Sequence, residues 1–245
     1  MNASDVVAEL RRAASPEKAL VLARFFKTGR GEYGEGDLFL GVMVPEQRKI
    51  AKSFLAGTEA LTCRETLAEV LTLLGSAYHE ERLTALLILV GLYNRSGDKD
   101  RERIYGFYLK NLKCVNNWDL VDLSAPNIVG AHLLGKDSAL LFTLAGSDHL
   151  WTRRVAVLAS FAFVRAGRFS ETLSLAQRLL VDDREAHDLM HKAVGWMLRE
   201  VGKRDQQVLE AFLDLHAARL PRTALRYAIE RFAEPTRAKY LRCGR

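Results

Sequence analysis

Residues 101–113, RERIYGFYLKNLK, place Ile104, Phe107, Tyr108 and Leu112 at i, i+3, i+4 and i+8. That spacing draws one apolar stripe along a helix and does not fit the alternation of a half-buried strand. Working outward, QQVLEAFLDLH at 206–216 repeats the stripe with Val208, Ala211, Phe212 and Leu215. Leu225, Ala228, Ile229 and Phe232 repeat it again. No run of alternating β-branched residues between turn signals interrupts the pattern, so no sheet is required.

The prolines agree. Pro16 follows Ser15, a capping residue before a residue suited to the first helical turn. Pro45, Pro221 and Pro235 precede charged, helix-competent sequence, and Pro126 ends one short helix and begins another. The pattern predicts helices over 3–14, 16–27, 45–56, 63–75, 79–94, 99–112, 117–125, 127–134, 136–146, 151–166, 168–181, 185–201, 205–216, 221–232 and 236–243. Short connections between short helices imply antiparallel pairs stacked in sequence, recurring about every 35–45 residues as in HEAT-type repeats. The expected fold is an all-α superhelical solenoid of HEAT-like helix pairs with a concave basic face, one domain over 1–245.

Composition narrows the class. The chain has 245 residues, 49% hydrophobic and 27% charged, with five prolines and three cysteines. That excludes a collagen-like chain, a disulfide scaffold and a chain dominated by disorder. No apolar run approaches the ~20 residues of a membrane span, and the N-terminus lacks a signal-peptide centre. A cytoplasmic monomer without membrane association is the expectation, with Cys63, Cys114 and Cys243 as isolated thiols. The net charge of +6 is uneven. Residues 1–150 hold 18 Lys+Arg against 19 Asp+Glu, whereas residues 151–245 hold 18 against 11. A basic excess confined to the last two-fifths of the chain points to a polyanion, nucleic acid first.

Two apparent motifs carry little. Gly29, Gly31 and Gly34 satisfy G-x-G-x-x-G, but they follow a helix and lack the strand a dinucleotide site needs, so KTGRGEYGEGD reads as a flexible interhelix loop. His187 and His191 stand four apart as in a zinc helix, but Asp188 replaces the glutamate and no third ligand is identifiable, so no metal is expected. No cofactor is implied.

NNWDLVDL, residues 116–123, is more informative. Trp118 and Asp122 are four apart and share a helix face, setting an aromatic ring beside a carboxylate. Further on come Trp151, Arg153 and Arg154 in WTRR, and Lys192, Trp196 and Arg199 in HKAVGWMLRE. The gaps Trp118–Arg154 and Arg154–Trp196 each approximate one repeat. Stacked repeats would therefore bring Asp122, Arg154 and Trp196 to one concave face. Arg153 points about 100° from Arg154 on a helix and reads as peripheral.

These segments, with FFKTGRGEYGEGDLFLGV, LWTRRVAVL and PRTALRYAIERF, resemble the AlkD-like DNA alkylation repair proteins, a bacterial DNA glycosylase class. The resemblance runs through almost the whole chain. It implies a HEAT-like superhelix that removes cationic N3- and N7-alkylated purines from double-stranded DNA without a base-specific pocket. It places the family's catalytic aspartate on Asp122, its active-site tryptophans on Trp118 and Trp196, and its arginine on Arg154. A cleft-lining tyrosine of the family falls on Phe25, which lacks the hydroxyl, and Tyr33 in the Gly-rich insertion is the candidate replacement. Lys192, Arg199, Arg222 and Arg226 are candidate phosphate contacts. Two other readings are a non-catalytic HEAT-repeat protein that binds unusual DNA structures, and a HEAT-type protein-interaction scaffold.

Overall fold

The computed structural model describes residues 1–181 and 187–243. The described residues are all-α, and the one extended pairing among them is an isolated bridge between Leu38 and Tyr78. None of the described helices is long and apolar enough to cross a membrane. The chain divides into two units, Met1–Ser124 and Ala125–Arg245.

The first unit holds α1 (Ala3–Arg12), α2 (Pro16–Phe25), α3 (Val44–Gly57), α4 (Cys63–Leu74), α5 (His79–Arg95), α6 (Asp98–Lys110) and α7 (Trp118–Ser124). Its organising helix is α5, which α1, α3, α4, α6 and α7 contact. Leu83, Ala85, Leu86, Ile88, Leu89 and Leu92 of α5 are buried, so the helix has no wide solvent face. Capping follows the sequence: Asn2 and Thr62 each form a reciprocal capping box, and the Ser15 hydroxyl accepts from the Lys18 amide. By contrast α2 buries none of its residues, and Leu20, Val21 and Phe25 are exposed.

The second unit opens with a π-turn at Pro126–Gly130 that runs into α8 (Ala131–Leu133). It continues through α9 (Ala139–Ala145), α10 (Leu150–Ala159), α11 (Phe161–Arg165) and α12 (Ser170–Val181). It closes with α13 (Asp188–Gly202), α14 (Gln206–His216), α15 (Arg222–Ala228) and α16 (Glu234–Cys243). Helices α10 and α13 carry its core, with Val155, Leu158, Met197 and Leu198 fully or almost fully buried. Gly195 sets how closely α13 and α15 approach. A Cβ there would lie 2.4 Å from the Ala224 carbonyl oxygen and 2.6 Å from Tyr227 Cβ.

Several boundaries differ from the periodicity. The helix predicted over 151–166 breaks at Ser160, whose hydroxyl donates to the Val157 carbonyl and receives a bond from Thr172. The helix predicted over 136–146 starts only at Ala139, after Gly135 at φ 87° and an Asp137 carboxylate that accepts from the Ala139 amide. The helix predicted over 127–134 begins one residue earlier, as the π-turn on Pro126. The segment predicted over 221–232 is helical for Arg222–Ala228. The start of the helix predicted over 185–201 lies outside the described residues, as far as residue 186.

Candidate functional site

In the first unit the segment around Trp118 is built on a stack of rings. Phe26, buried immediately after α2, stacks on Phe39 at 5.1 Å and 24° and on Trp118 at 5.1 Å and 10°. Phe25 meets the Trp118 ring edge-on at 5.9 Å. Offset stacks and edge contacts of this kind satisfy the quadrupoles of the rings beyond simple area burial. The Gly-rich segment supplies the rest of the wall. It connects two helices, as read from the sequence, but it is tied rather than free. Glu32 accepts from the Gly29 amide and Glu35 from the Gly31 amide, and the Lys27 carbonyl accepts from the Gly34 amide. The Tyr33 hydroxyl donates to the Phe25 backbone carbonyl at 3.4 Å.

Beneath the rings lies a charged network that sequence reasoning missed. The first four residues of α5, His79, Glu80, Glu81 and Arg82, are all buried. His79 Nδ1 lies 3.1 Å from Asp37 Oδ2, and its Nε2 lies 2.7 Å from Asp119 Oδ2. Ionised carboxylates only accept, so both ring nitrogens donate and the ring is an imidazolium. Burial works against that charge, but the hydrogen bonds to Asp119 and Asp37 outweigh it and raise the His79 pKa to about 9. Burial likewise pushes Asp37 up, yet the His79 bond and the Arg82 charge hold its carboxyl below the ordinary range. Arg82 donates to Asp37 at 2.7 Å and to the Ser76 carbonyl at 2.8 Å. Glu80 accepts the backbone amides of Leu40, Gly41 and Val42 and so anchors the loop after the glycines to α5.

Asn117 and Asp119 connect this network to α7. Fully buried Asn117 donates to Asp37 at 3.4 Å and accepts from the Trp118 amide at 2.8 Å. Trp118 and Asp122, one turn apart on α7, are each part-exposed. Below Asp122, Tyr108 shares a 2.8 Å hydrogen bond with Ser124. Burial drives the Tyr108 phenol far above its ordinary range, and the nearby Asp122 charge adds to the effect.

In the second unit Arg154 is buried on α10 and donates to the Leu189 carbonyl at 2.5 Å. Its neighbour Arg153 is equally buried and donates to the Ser147 carbonyl at 2.9 Å, so it is a tie to the end of α9 rather than a peripheral residue. Lys192, Trp196 and Arg199 stand on α13 at i, i+4 and i+7, one face of that helix. Lys192 pairs with Asp188 at 2.6 Å, Arg199 pairs with Glu230, and the Trp196 indole hydrogen-bonds Glu200. Arg222 donates to the Leu241 carbonyl at 2.6 Å, whereas Arg226 is exposed. Around Trp196 the structure adds Phe161, 6.1 Å away, whose ring carries the Arg165 guanidinium at 4.1 Å and that of Arg204 at 5.7 Å. The Phe161–Arg165 spacing was visible in the sequence, but the long return to Arg204 was not.

His187 caps α13 by accepting the Leu189 amide on Nδ1. Among the described residues no group of three or more His, Cys, Asp and Glu side chains could hold a metal ion.

These observations meet one family. A model described as DNA alkylation repair enzyme matches residues 6–232. The chain belongs to the DNA alkylation repair enzyme family. The fold agrees: among solved structures the chain is similar to a predicted DNA alkylation repair enzyme from Enterococcus faecalis, at 18% identity and a TM-score of 0.72. That match covers 90% of this chain and 97% of the other. No curated protein matches the chain. As a member of a DNA alkylation repair family, the chain has DNA as its substrate class. Its charge is placed accordingly: Ala125–Arg245 holds 19 Lys+Arg against 13 Asp+Glu, and Met1–Ser124 holds 17 of each.

Proposed function

We propose that the protein is a DNA glycosylase that excises cationic N3- and N7-alkylated purines from duplex DNA by hydrolysing the N-glycosidic bond, with the base left largely in the duplex. The observation that carries this reading is the pair on α7. A part-exposed carboxylate, Asp122, stands one turn from a part-exposed indole, Trp118, on a helix tied to a buried charged network. Family membership supports the DNA substrate.

The chemistry asks little of such a site. An N3- or N7-alkylated purine is already cationic, so the bond to its sugar is weak and the base departs neutral without a protein acid. Positive charge then builds on the deoxyribose as an oxocarbenium-like species. The Asp122 carboxylate stabilises that charge and positions the attacking water. A charge pair about 4 Å apart at an effective dielectric near 20 is worth ~4 kcal/mol. That corresponds to roughly 10³ in rate, sufficient for a labile bond and inadequate for a neutral one. Trp118 offers a ring face to the sugar–phosphate and to the developing cation, and Trp196, in the second unit, offers one to the DNA backbone. Arg154 and the cations of the second unit bind phosphates without reading sequence.

The test is release of 7-methylguanine from methylated duplex. Asp122→Asn retains duplex binding and loses about 10³ in release rate, the loss expected of the charge term. Release near the wild-type rate removes Asp122 from the chemistry. Tight duplex binding by a wild-type protein that releases no base makes it a binding protein instead.

A further inference from the structure

The excision chemistry does not use the imidazolium of His79, although it is a deeply buried charge bonded directly to α7. Its two carboxylate partners come from opposite sides. Asp37 comes from the loop after the glycines and Asp119 from the first turn of α7, while Arg82 of α5 faces Asp37. Bonds at both ring nitrogens fix the position of the imidazole and its rotation about the ring axis. Burying such a set of charges is a poor way to gain stability, because well-packed apolar residues of equal volume do as well or better. What the charges add is directional geometry, since each bond has a required distance and angle.

That geometry reaches the α7 pair by two routes. Asp119 is the residue after Trp118, and it also accepts from the Leu120 amide, so the His79 bond sets the first turn of α7. Separately, the His79 ring lies 4.7 Å from Phe26, whose ring stacks on Trp118. We propose that His79 is a positioning residue: clamped between Asp37 and Asp119, it locks the first turn of α7 in the orientation that presents the Trp118 indole and the Asp122 carboxylate together. The consequence for excision rests on the glycosylase reading above, whereas the placement of Trp118 does not.

The experiment uses the full chain and two readouts. The Trp118 indole Cδ1–H resonance, which does not exchange with water, is assigned by its loss in Trp118→Phe. His79→Gln moves that resonance and leaves those of Trp151 and Trp196 in place. In single-turnover assays at saturating protein, excision falls about 10- to 100-fold, the cost of a small misplacement, while duplex affinity stays within about threefold, because the ground-state contacts are kept. A Trp118 resonance that does not move, or excision at the wild-type rate, overturns the proposal. A variant that fails to fold leaves the wild-type titration to decide. Between about pH 7 and about pH 10 the Trp118 resonance moves with the His79 ring, at the same midpoint. A flat Trp118 resonance across the His79 step overturns the proposal as well. If the wild-type protein releases no base, the glycosylase reading fails, and the Trp118 resonance still decides whether His79 sets the position of that indole.

Discussion

The Trp118 indole lies parallel to the Phe26 ring, 5.1 Å away and within 10°. Phe26 is buried and Trp118 is part-exposed, so the ring that faces solvent takes its orientation from one that does not. Phe26 also touches Phe39 and His79, which makes it the shared neighbour of the loop, α5 and α7.

Truncating that neighbour has a predictable cost. Phe26→Ala destabilises the protein by about 3–5 kcal/mol, the range for removing a buried aromatic ring. Phe25→Ala, at an exposed position, costs less than about 1 kcal/mol. Denaturant unfolding of the two variants measures the difference. Equal losses would show that the stack contributes no more than the exposed ring.

Stability follows the charge on His79. Its pKa in the fold, about 9, lies above the ordinary 6.5, so the folded state binds that proton more tightly than the unfolded chain. The stabilisation is complete below pH 6.5 and drains as the pH rises through 9. At about 1.36 kcal/mol per unit the effect amounts to a few kcal/mol. Asp37 works in the opposite sense. Its lowered pKa stabilises the fold above the ordinary 3.8 and is lost as acid protonates it. A thermal-melt series from pH 5 to pH 10 therefore falls at its alkaline end in the wild type, and His79→Gln flattens that fall. A wild-type melting temperature constant across that limb rules out the buried imidazolium.

Duplex binding weakens steeply with salt, by about 0.9 log units per log unit of salt for each phosphate neutralised. The structure separates the candidate cations. Arg226 is exposed, whereas Arg199 is paired with Glu230. Arg226→Gln shallows the salt slope by about one phosphate's worth. Glu230→Gln releases Arg199, tightens duplex binding and steepens the slope. Gel-shift titrations at several salt concentrations check both, and weaker binding by Glu230→Gln would assign the Arg199–Glu230 pair a purely structural role.

Gly195 leaves no room for a side chain. Even the Cβ of Gly195→Ala meets the Ala224 carbonyl oxygen at 2.4 Å, and a carbonyl on a packed helix cannot turn aside as a flexible side chain would. Gly195→Ala costs about 1–3 kcal/mol by overpacking. Because the change is next to Trp196, it also perturbs the Trp196 indole signal. Full wild-type stability in a denaturant melt would mean that α13 and α15 separate without penalty.

Helical periodicity, proline placement and the i, i+4 pairing of Trp118 with Asp122 were legible in the sequence because each is a local pattern. The basic excess of the second unit was legible because charge can simply be counted. The break at Ser160 was not, because it depends on a hydroxyl that bonds both Val157 and Thr172. The buried start of α5 was invisible for the same reason. HEER reads as the solvated first turn of a helix, and only partners 42 and 40 residues away, Asp37 and Asp119, reveal it as core. Arg153 and Arg154 both proved buried, since α10 lacks the solvent face that a helix angle alone would assign to one of them.

The span of the His79 clamp also bears on how the chain is made. Asp37, His79 and Asp119 are drawn from three stretches in order, and the last is not synthesised until almost all of Met1–Ser124 exists. A nascent chain that stops short of Asn117 has the imidazole and Asp37 but lacks the Asp119 carboxylate that meets Nε2. The clamp therefore cannot form before α7 exists, and Trp118 and Asp122, the first-unit residues proposed to act on DNA, lie at the very end of that unit.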